Sequence, residues 1–288
     1  LFPYTTLFRS KGTVTFRTGH LADIIKALFA EHAIKDQYND SLDFSFQYDY
    51  NRGTTKLNNF VIKYDNIAAG SGSISLRDLP DSKEFAISLD MSQLNLNIIE
   101  SISKDVLEQA RQGYKFTETD FAKYNGVLDI KAPHALYNGA EVLNVNMGLA
   151  LQNGLLTLTR LGLNMPGDTA IKLVGAINLN DNLRFQVNQS IETTDLRQFV
   201  SVFGIDLAKL ARTENKKSIF KQAKAELSLS GDMNQLTIDV PQATIDTTTL
   251  NGKVGFVLNE GQTFVIASIA GSKVLFDKYL QLLPQNAA

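Results

Sequence analysis

The chain of 288 residues has no cysteine and no tryptophan, and only three histidines and six prolines. Without cysteine there is no disulfide, no thiolate metal site and no thiol nucleophile. That absence suits a periplasmic and a cytosolic protein equally. His20, His32 and His134 are not at metal-ligand spacing, because His20 and His32 stand at opposite ends of one candidate helix and His134 is remote. Charge is balanced, with Lys+Arg 28 against Asp+Glu 30, and there is no basic block. No nucleic-acid partner is therefore expected. No apolar run reaches the roughly 20 residues of a membrane-spanning helix. No serine elbow and no carboxylate pair stands out. Gly70-Ser71-Gly72-Ser73 is followed by neither a lysine nor a helix start, so it reads as a flexible strand segment and not as a phosphate loop. Acid–base chemistry needs positioned titratable groups, and none cluster. We expect no catalytic residue, no metal and no cofactor; the chain does not read as an enzyme.

What the chain has in abundance is alternation. Leu155–Leu179 reads as two strands around a Pro-Gly-Asp turn, with Ile171, Leu173, Ile177 and Leu179 on one side and Lys172 and Asn178 on the other. Phe44, Phe46, Tyr48 and Tyr50 alternate with Ser45, Gln47 and Asp49, and Asn51-Arg52-Gly53 breaks that run as a hairpin turn does. Further strands are expected at Thr13–Phe16, Leu57–Tyr64, Gly72–Leu76, Glu84–Leu89, Tyr124–Ile130, Val142–Leu151, Leu183–Ile191, Ala225–Ser230, Leu236–Ala243, Leu250–Leu258 and Thr263–Ile269. Asn153-Gly154 is a two-residue turn of the kind that needs positive φ twice. Helical spacing marks His20–His32, Leu96–Ala110, Leu207–Ala211 and Lys273–Leu283. One more helix, capped by Asp195 and ended by Gly204, carries Leu196, Phe199, Val200 and Phe203. The helices' polar faces are not rich in Lys or Arg, so they read as sheet caps and not as membrane-surface helices.

The fold class is mainly β with short α-helices. Repeated antiparallel meanders are expected to form an elongated, curved sheet or groove, each unit closed by an amphipathic helix. Gly72, Gly175 and Gly252 take matching places in successive units. Residues 1–10, LFPYTTLFRS, match the conceptual translation of a sequencing adapter and are set aside as an artefact. The expected divisions are 11–39, the end of a truncated unit plus a helix; 40–113, a first full unit; 114–217, a second with a charged loop at Arg212–Lys217; and 218–288, a third.

The candidate apolar face comprises Leu143, Val145, Met147, Leu149 and Leu151; Ile171, Leu173, Ile177 and Leu179; Phe185 and Val187; Leu227 and Leu229; Ile238 and Val240. An antiparallel sheet commonly has one apolar and one wet face. If the sheet curls on itself, the apolar face lines a trough. If helices or a second sheet cover it, the same residues form an ordinary core. Alternation is identical in both cases.

The segments LNMPGDTAIKLVGAINL and FQVNQSIETTDLRQFVSVFG resemble the AsmA family of Gram-negative envelope proteins. The resemblance rests on Pro166-Gly167, Gly175, the strand Phe185–Ile191 and the helix start Asp195-Leu196. A similar order recurs in TLNGKVGFVLNEGQTFVIASIAGSKVLFDKYL, with Asp277 and Leu280, but without the Pro-Gly. The resemblance spans about residues 40–284, and the first unit fits it less well. It implies a bridge-type lipid carrier acting in outer-membrane biogenesis, with phospholipids sliding along an apolar β-groove formed by the candidate face. It also implies a bacterial inner-membrane protein on the periplasmic side, held by an N-terminal anchor lying before Lys11, with other envelope proteins as possible partners. The competing expectation is a non-catalytic envelope assembly scaffold with a closed β core that binds protein partners.

Overall fold

The structure, a computed structural model, describes residues 9–19, 41–65, 67–97, 122–179, 184–207, 219–232, 234–259 and 262–272. It is mainly β. Fourteen strands follow one another in a sheet whose spatial order is the chain order. They are β1 (Arg9–Thr18), β2 (Leu42–Asn51), β3 (Thr54–Tyr64), β4 (Ala68–Asp78), β5 (Lys83–Leu94), β6 (Tyr124–Tyr137), β7 (Ala140–Gln152), β8 (Leu155–Met165), β9 (Thr169–Asn178), β10 (Arg184–Thr193), β11 (Ala223–Gly231), β12 (Gln235–Ile245), β13 (Thr248–Asn259) and β14 (Gln262–Ser272). One helix, α1 (Leu196–Ser201), lies between β10 and β11.

The ladders β1–β5 and β8–β14 are antiparallel. β5 and β6 pair in parallel, which requires a crossover between them. The expected helix Leu96–Ala110 falls almost wholly on residues 98–121, outside the described residues. The expected helices His20–His32 and Lys273–Leu283, the loop Arg212–Lys217 and nearly all of Leu207–Ala211 also lie outside them. Each strand expected from alternation coincides with a strand of the sheet. β1 begins at Arg9, so two residues of the segment set aside as an artefact pair with Asn51 and Tyr50.

The turns follow residue chemistry. Arg52-Gly53, Asn138-Gly139 and Asn153-Gly154 join adjacent strands with positive φ at both positions, the geometry that matches strand twist across two-residue hairpins. Pro166-Gly167-Asp168 joins β8 to β9, with φ +83° at Gly167. A Cβ there would strike the Asp195 carbonyl oxygen, so this turn requires glycine.

The chain divides into two compact units, residues 1–135 with 150–153 and residues 136–149 with 154–288. In the first, aromatic side chains run along one sheet face: Phe16 and Phe44 have ring centroids 4.9 Å apart, Phe44 and Phe46 5.9 Å, and Phe46 and Phe60 6.4 Å. Such pairs contribute about 0.5–1.5 kcal/mol beyond their burial. In the second, α1 seats one end of the sheet. Asp195 caps it, accepting from the Gln198 backbone N–H at 3.2 Å. The Gly167 carbonyl accepts from the backbone N–H groups of Thr194 and Asp195, both at 3.1 Å. Phe199 is the buried residue of α1 itself, and its ring meets Phe203 edge-on at 5.4 Å. Thr169 and Thr193 are buried beside the same turn. The Thr193 hydroxyl donates to the Gly167 carbonyl at 3.0 Å, and the Thr169 hydroxyl donates to Thr193 Oγ1 at 2.7 Å.

Candidate functional site

Residues directly opposite in an antiparallel ladder share a face, so the registers define the surfaces of each unit. In the second unit, Leu163–Ile171–Ile191–Ala225–Ala243–Leu250 form one cross-strand row from β8 to β13. Leu158–Gly175–Val187–Leu229–Ile238–Val254 form another, and Leu156–Ile177–Phe185–Gly231–Leu236–Phe256 a third. β14 extends these rows with Gly271, Ala267 and Val265. The opposite face carries Lys172, Asn178, Gln186, Asn188, Glu226, Asp239 and Lys253, all exposed. From β9 to β13 this unit is therefore apolar on one side and wet on the other.

Burial along the apolar face is uneven. Ile171 is buried, whereas Leu173, Ile177, Leu179, Phe185, Val187, Leu227, Leu229, Ile238 and Val240 are half-buried. On β7, Val145 is buried and Leu143, Met147, Leu149 and Leu151 are half-buried. The fully buried side chain near the start of β7 is Val142, 1% exposed. Positive φ at Asn144 interrupts the period of two there, and burial falls at Val142, Val145 and Gly148. Lys172 and Asn178 are exposed, opposite in facing to their neighbours Ile171 and Ile177.

Three features of this surface are absent from the sequence-based face. The first is Gln189, which lies between Leu173 and Leu227 in the ladder and places an amide in the apolar row. The second is a set of β-bulges. One extra residue between Leu158 and Leu161 keeps both leucines on the same side, and another at Pro241-Gln242 does the same for Val240 and Ala243. A bulge is one of the few places within a sheet that tolerates proline. The third is the corresponding face of the first unit, where the rows Phe44–Ile62–Gly70–Met91 and Leu57–Ile74–Ile87 are equally apolar. The alternation of Phe44, Phe46, Tyr48 and Tyr50 was the signal for it.

Chemistry beyond apolar contact is sparse. Among the described residues no group of three or more His, Asp or Glu is placed to hold a metal ion, and no helix is long and apolar enough to cross a membrane. Asp49 titrates below the ordinary carboxylate range, chiefly because Lys11 Nζ bonds its Oδ2 at 2.8 Å. That pair lies on the wet side of β1 and β2, away from the aromatic row. A pocket of about 550 Å³ opens at one end of the first unit's apolar face, among Tyr50, Leu76, Phe85, Ile87 and Tyr124. No protein-family model, no curated protein and no solved structure matches the chain.

Proposed function

We propose that the chain is part of an AsmA-like, inner-membrane-anchored periplasmic protein of envelope biogenesis, whose apolar sheet face binds or conducts phospholipid acyl chains without catalysis. The observation that carries this reading is the half-exposure of the apolar rows over β8–β13. A sealed core buries such side chains almost completely. Here the bulk of the face stays partly open among the described residues, while full burial is reached beside α1. Acyl chains need only apolar area, at about 25 cal/mol per Å². A face of leucine, isoleucine, valine and phenylalanine supplies it with no conserved chemistry.

The repeating architecture belongs to the same proposal. In the middle repeat a glycine-bearing strand is followed by one more strand and then by a helix: Gly175 in β9, then β10, then α1. Gly72 in β4 and Gly252 in β13 stand in the same order before β5 and β14. At all three glycines an added Cβ would run into the backbone carbonyl oxygen of the next strand, a shared constraint consistent with equivalent positions.

Purification of the full-length protein from native membranes, followed by extraction and mass spectrometry, tests the reading. Stoichiometric phospholipid is expected, and a lipid-free protein whose apolar face is protected from labelling contradicts it. The scaffold reading has one specific observation in its favour. β14 is uncharged and exposed along its whole length, with Phe264 and Ile266 on one face and Val265 and Ile269 on the other. An edge of that kind is a template for another strand, and a protein partner retained in place of lipid would support it.

A further inference from the structure

The pocket at the end of the first unit's apolar face combines groups that the rest of that face lacks. The register aligns Tyr50, Thr55, Leu76 and Phe85 in one row across β2–β5. One step further out, Asp78 lies opposite Lys83, and Lys83 lies beside Tyr124 of β6. Alternation puts both rows on the same side of the sheet. The apolar surface therefore ends in a fringe with one anionic group, one cationic group and two tyrosines. Lys83 Nζ stands 5.9 Å from the centre of the Tyr124 ring. Tyr50 and Tyr124 are 38% and 40% exposed, and Leu76 is 44% exposed. Arg77 and Glu84 also line the pocket; they pair with each other at 3.5 Å, so they offset one another and leave Asp78 and Lys83 as the charges aligned with the apolar rows.

We propose that this pocket, of about 550 Å³, is a headgroup site for a zwitterionic amphiphile, an inference that rests on the lipid-carrying reading above. The tail lies over Leu76, Phe85 and Ile87, where apolar area is already half open. The anionic phosphate of the head meets Lys83. Its ammonium meets the Asp78 carboxylate and the tyrosine faces, which attract cations through their ring quadrupoles. A purely anionic head is repelled by Asp78, and a purely cationic one by Lys83. Selectivity follows from placing both charges at one end of an apolar surface.

The test is calorimetric titration of the purified chain with three twelve-carbon probes below their micelle concentrations: dodecylphosphocholine, dodecyl sulfate and dodecyltrimethylammonium. Free phosphocholine serves as the tail-less control. Dodecylphosphocholine is expected to bind saturably and about fivefold more tightly than either singly charged probe, the scale of one exposed ion pair or cation–π contact. The near-isosteric variants Asp78→Asn and Lys83→Gln, each checked for an unchanged melting curve, are expected to remove that preference in opposite directions. Asp78→Asn improves dodecyl sulfate, and Lys83→Gln improves dodecyltrimethylammonium. Equal binding of all three probes, unmoved by either variant, overturns the headgroup site and leaves an unselective lipid face standing. Binding of free phosphocholine as tight as that of the amphiphile also overturns it, because the tail then contributes nothing. If no probe binds at all, the lipid-carrying reading falls together with the headgroup site.

Discussion

Two regions of the second unit share one apolar face and treat it differently. At the end seated by α1, Val142, Val145, Met165, Ile171 and Phe199 are buried, together with the hydroxyl pair of Thr169 and Thr193. Across the body of the sheet, residues of the same type, Leu173, Ile177, Phe185 and Leu229, stay half-buried. On β9 the two regions meet: Ile171 and Leu173 lie two positions apart on one face, yet only Ile171 is buried. What differs is what lies over them. Beneath α1 a helix of six residues, a glycine turn and two aromatic rings close the surface. Over the body, the described residues place no second layer. Apolar sequence thus specifies which way a side chain faces; a covering element decides whether it becomes core.

Substitutions that probe both regions put this contrast at risk. Val142→Asp has the largest expected effect. A carboxylate at a position 1% exposed has no partner, and stability should fall by about 3–5 kcal/mol, seen in urea unfolding as loss of the cooperative transition near neutral pH. A folded Val142→Asp protein would contradict the closed end. Thr193→Val comes next. It removes the hydroxyl that donates to Gly167 and accepts from Thr169. The Gly167 carbonyl keeps its backbone donors and the Thr169 hydroxyl still reaches the Pro166 carbonyl at 2.8 Å, so the loss should be about 0.5–1.5 kcal/mol, read as a lower urea midpoint at unchanged slope.

Leu173→Asp, in the body, should be milder because the charge can reach water. We expect a folded protein, less stable by about 1 kcal/mol, with reduced co-purifying phospholipid. Unfolding as severe as that of Val142→Asp would erase the distinction between the two regions. Ile266→Lys on β14 should shift stability by no more than about 0.5 kcal/mol, since Ile266 is 69% exposed. A charge on an open edge should also lower self-association, measured by light scattering.

The smallest expected effect lies in the first unit. Lys11 holds the Asp49 carboxyl below its ordinary range. A carboxylate whose folded pKa is depressed stabilises the fold above the unfolded-state pKa. That contribution is lost as pH falls through the lowered folded value. Lys11→Met should move the Asp49 titration upward, visible in its carboxyl carbon shift, and flatten the acid limb of the stability curve.

The strand content and the facing of Ile171, Leu173, Ile177, Lys172 and Asn178 were legible because a period of two is a local property. So were the turn at Asn153-Gly154 and the start of α1 at its cap Asp195; at the other end the helix stops at Ser201, before the expected Phe203, and Gly204, with φ +76°, lies in the turn that follows. The bulges were not. Leu158 and Leu161 share a face through an extra residue whose effect exists only in the pairing with Gly175 and Leu173. The burial of Val142, outside the Leu143–Leu151 alternation, was not legible either, because the positive φ of Asn144 breaks the period of two without an apolar signal. Gln189 enters the apolar row through cross-strand register, which no single strand reveals. The pocket at Tyr50 and Tyr124 needed five strands to be brought side by side. Whether the face is covered was illegible in principle, since a groove and a core alternate alike.

The central claim, that the body of the apolar face holds acyl chains, is tested most directly by two photo-crosslinking residues placed one position apart. A benzoylphenylalanine at Leu173 and another at Lys172 sit on opposite faces of β9. Irradiation of the full-length protein in native membranes should give phospholipid adducts at position 173 and none at 172. Protein adducts at 173 without lipid, or equal lipid labelling at both positions, would contradict the account.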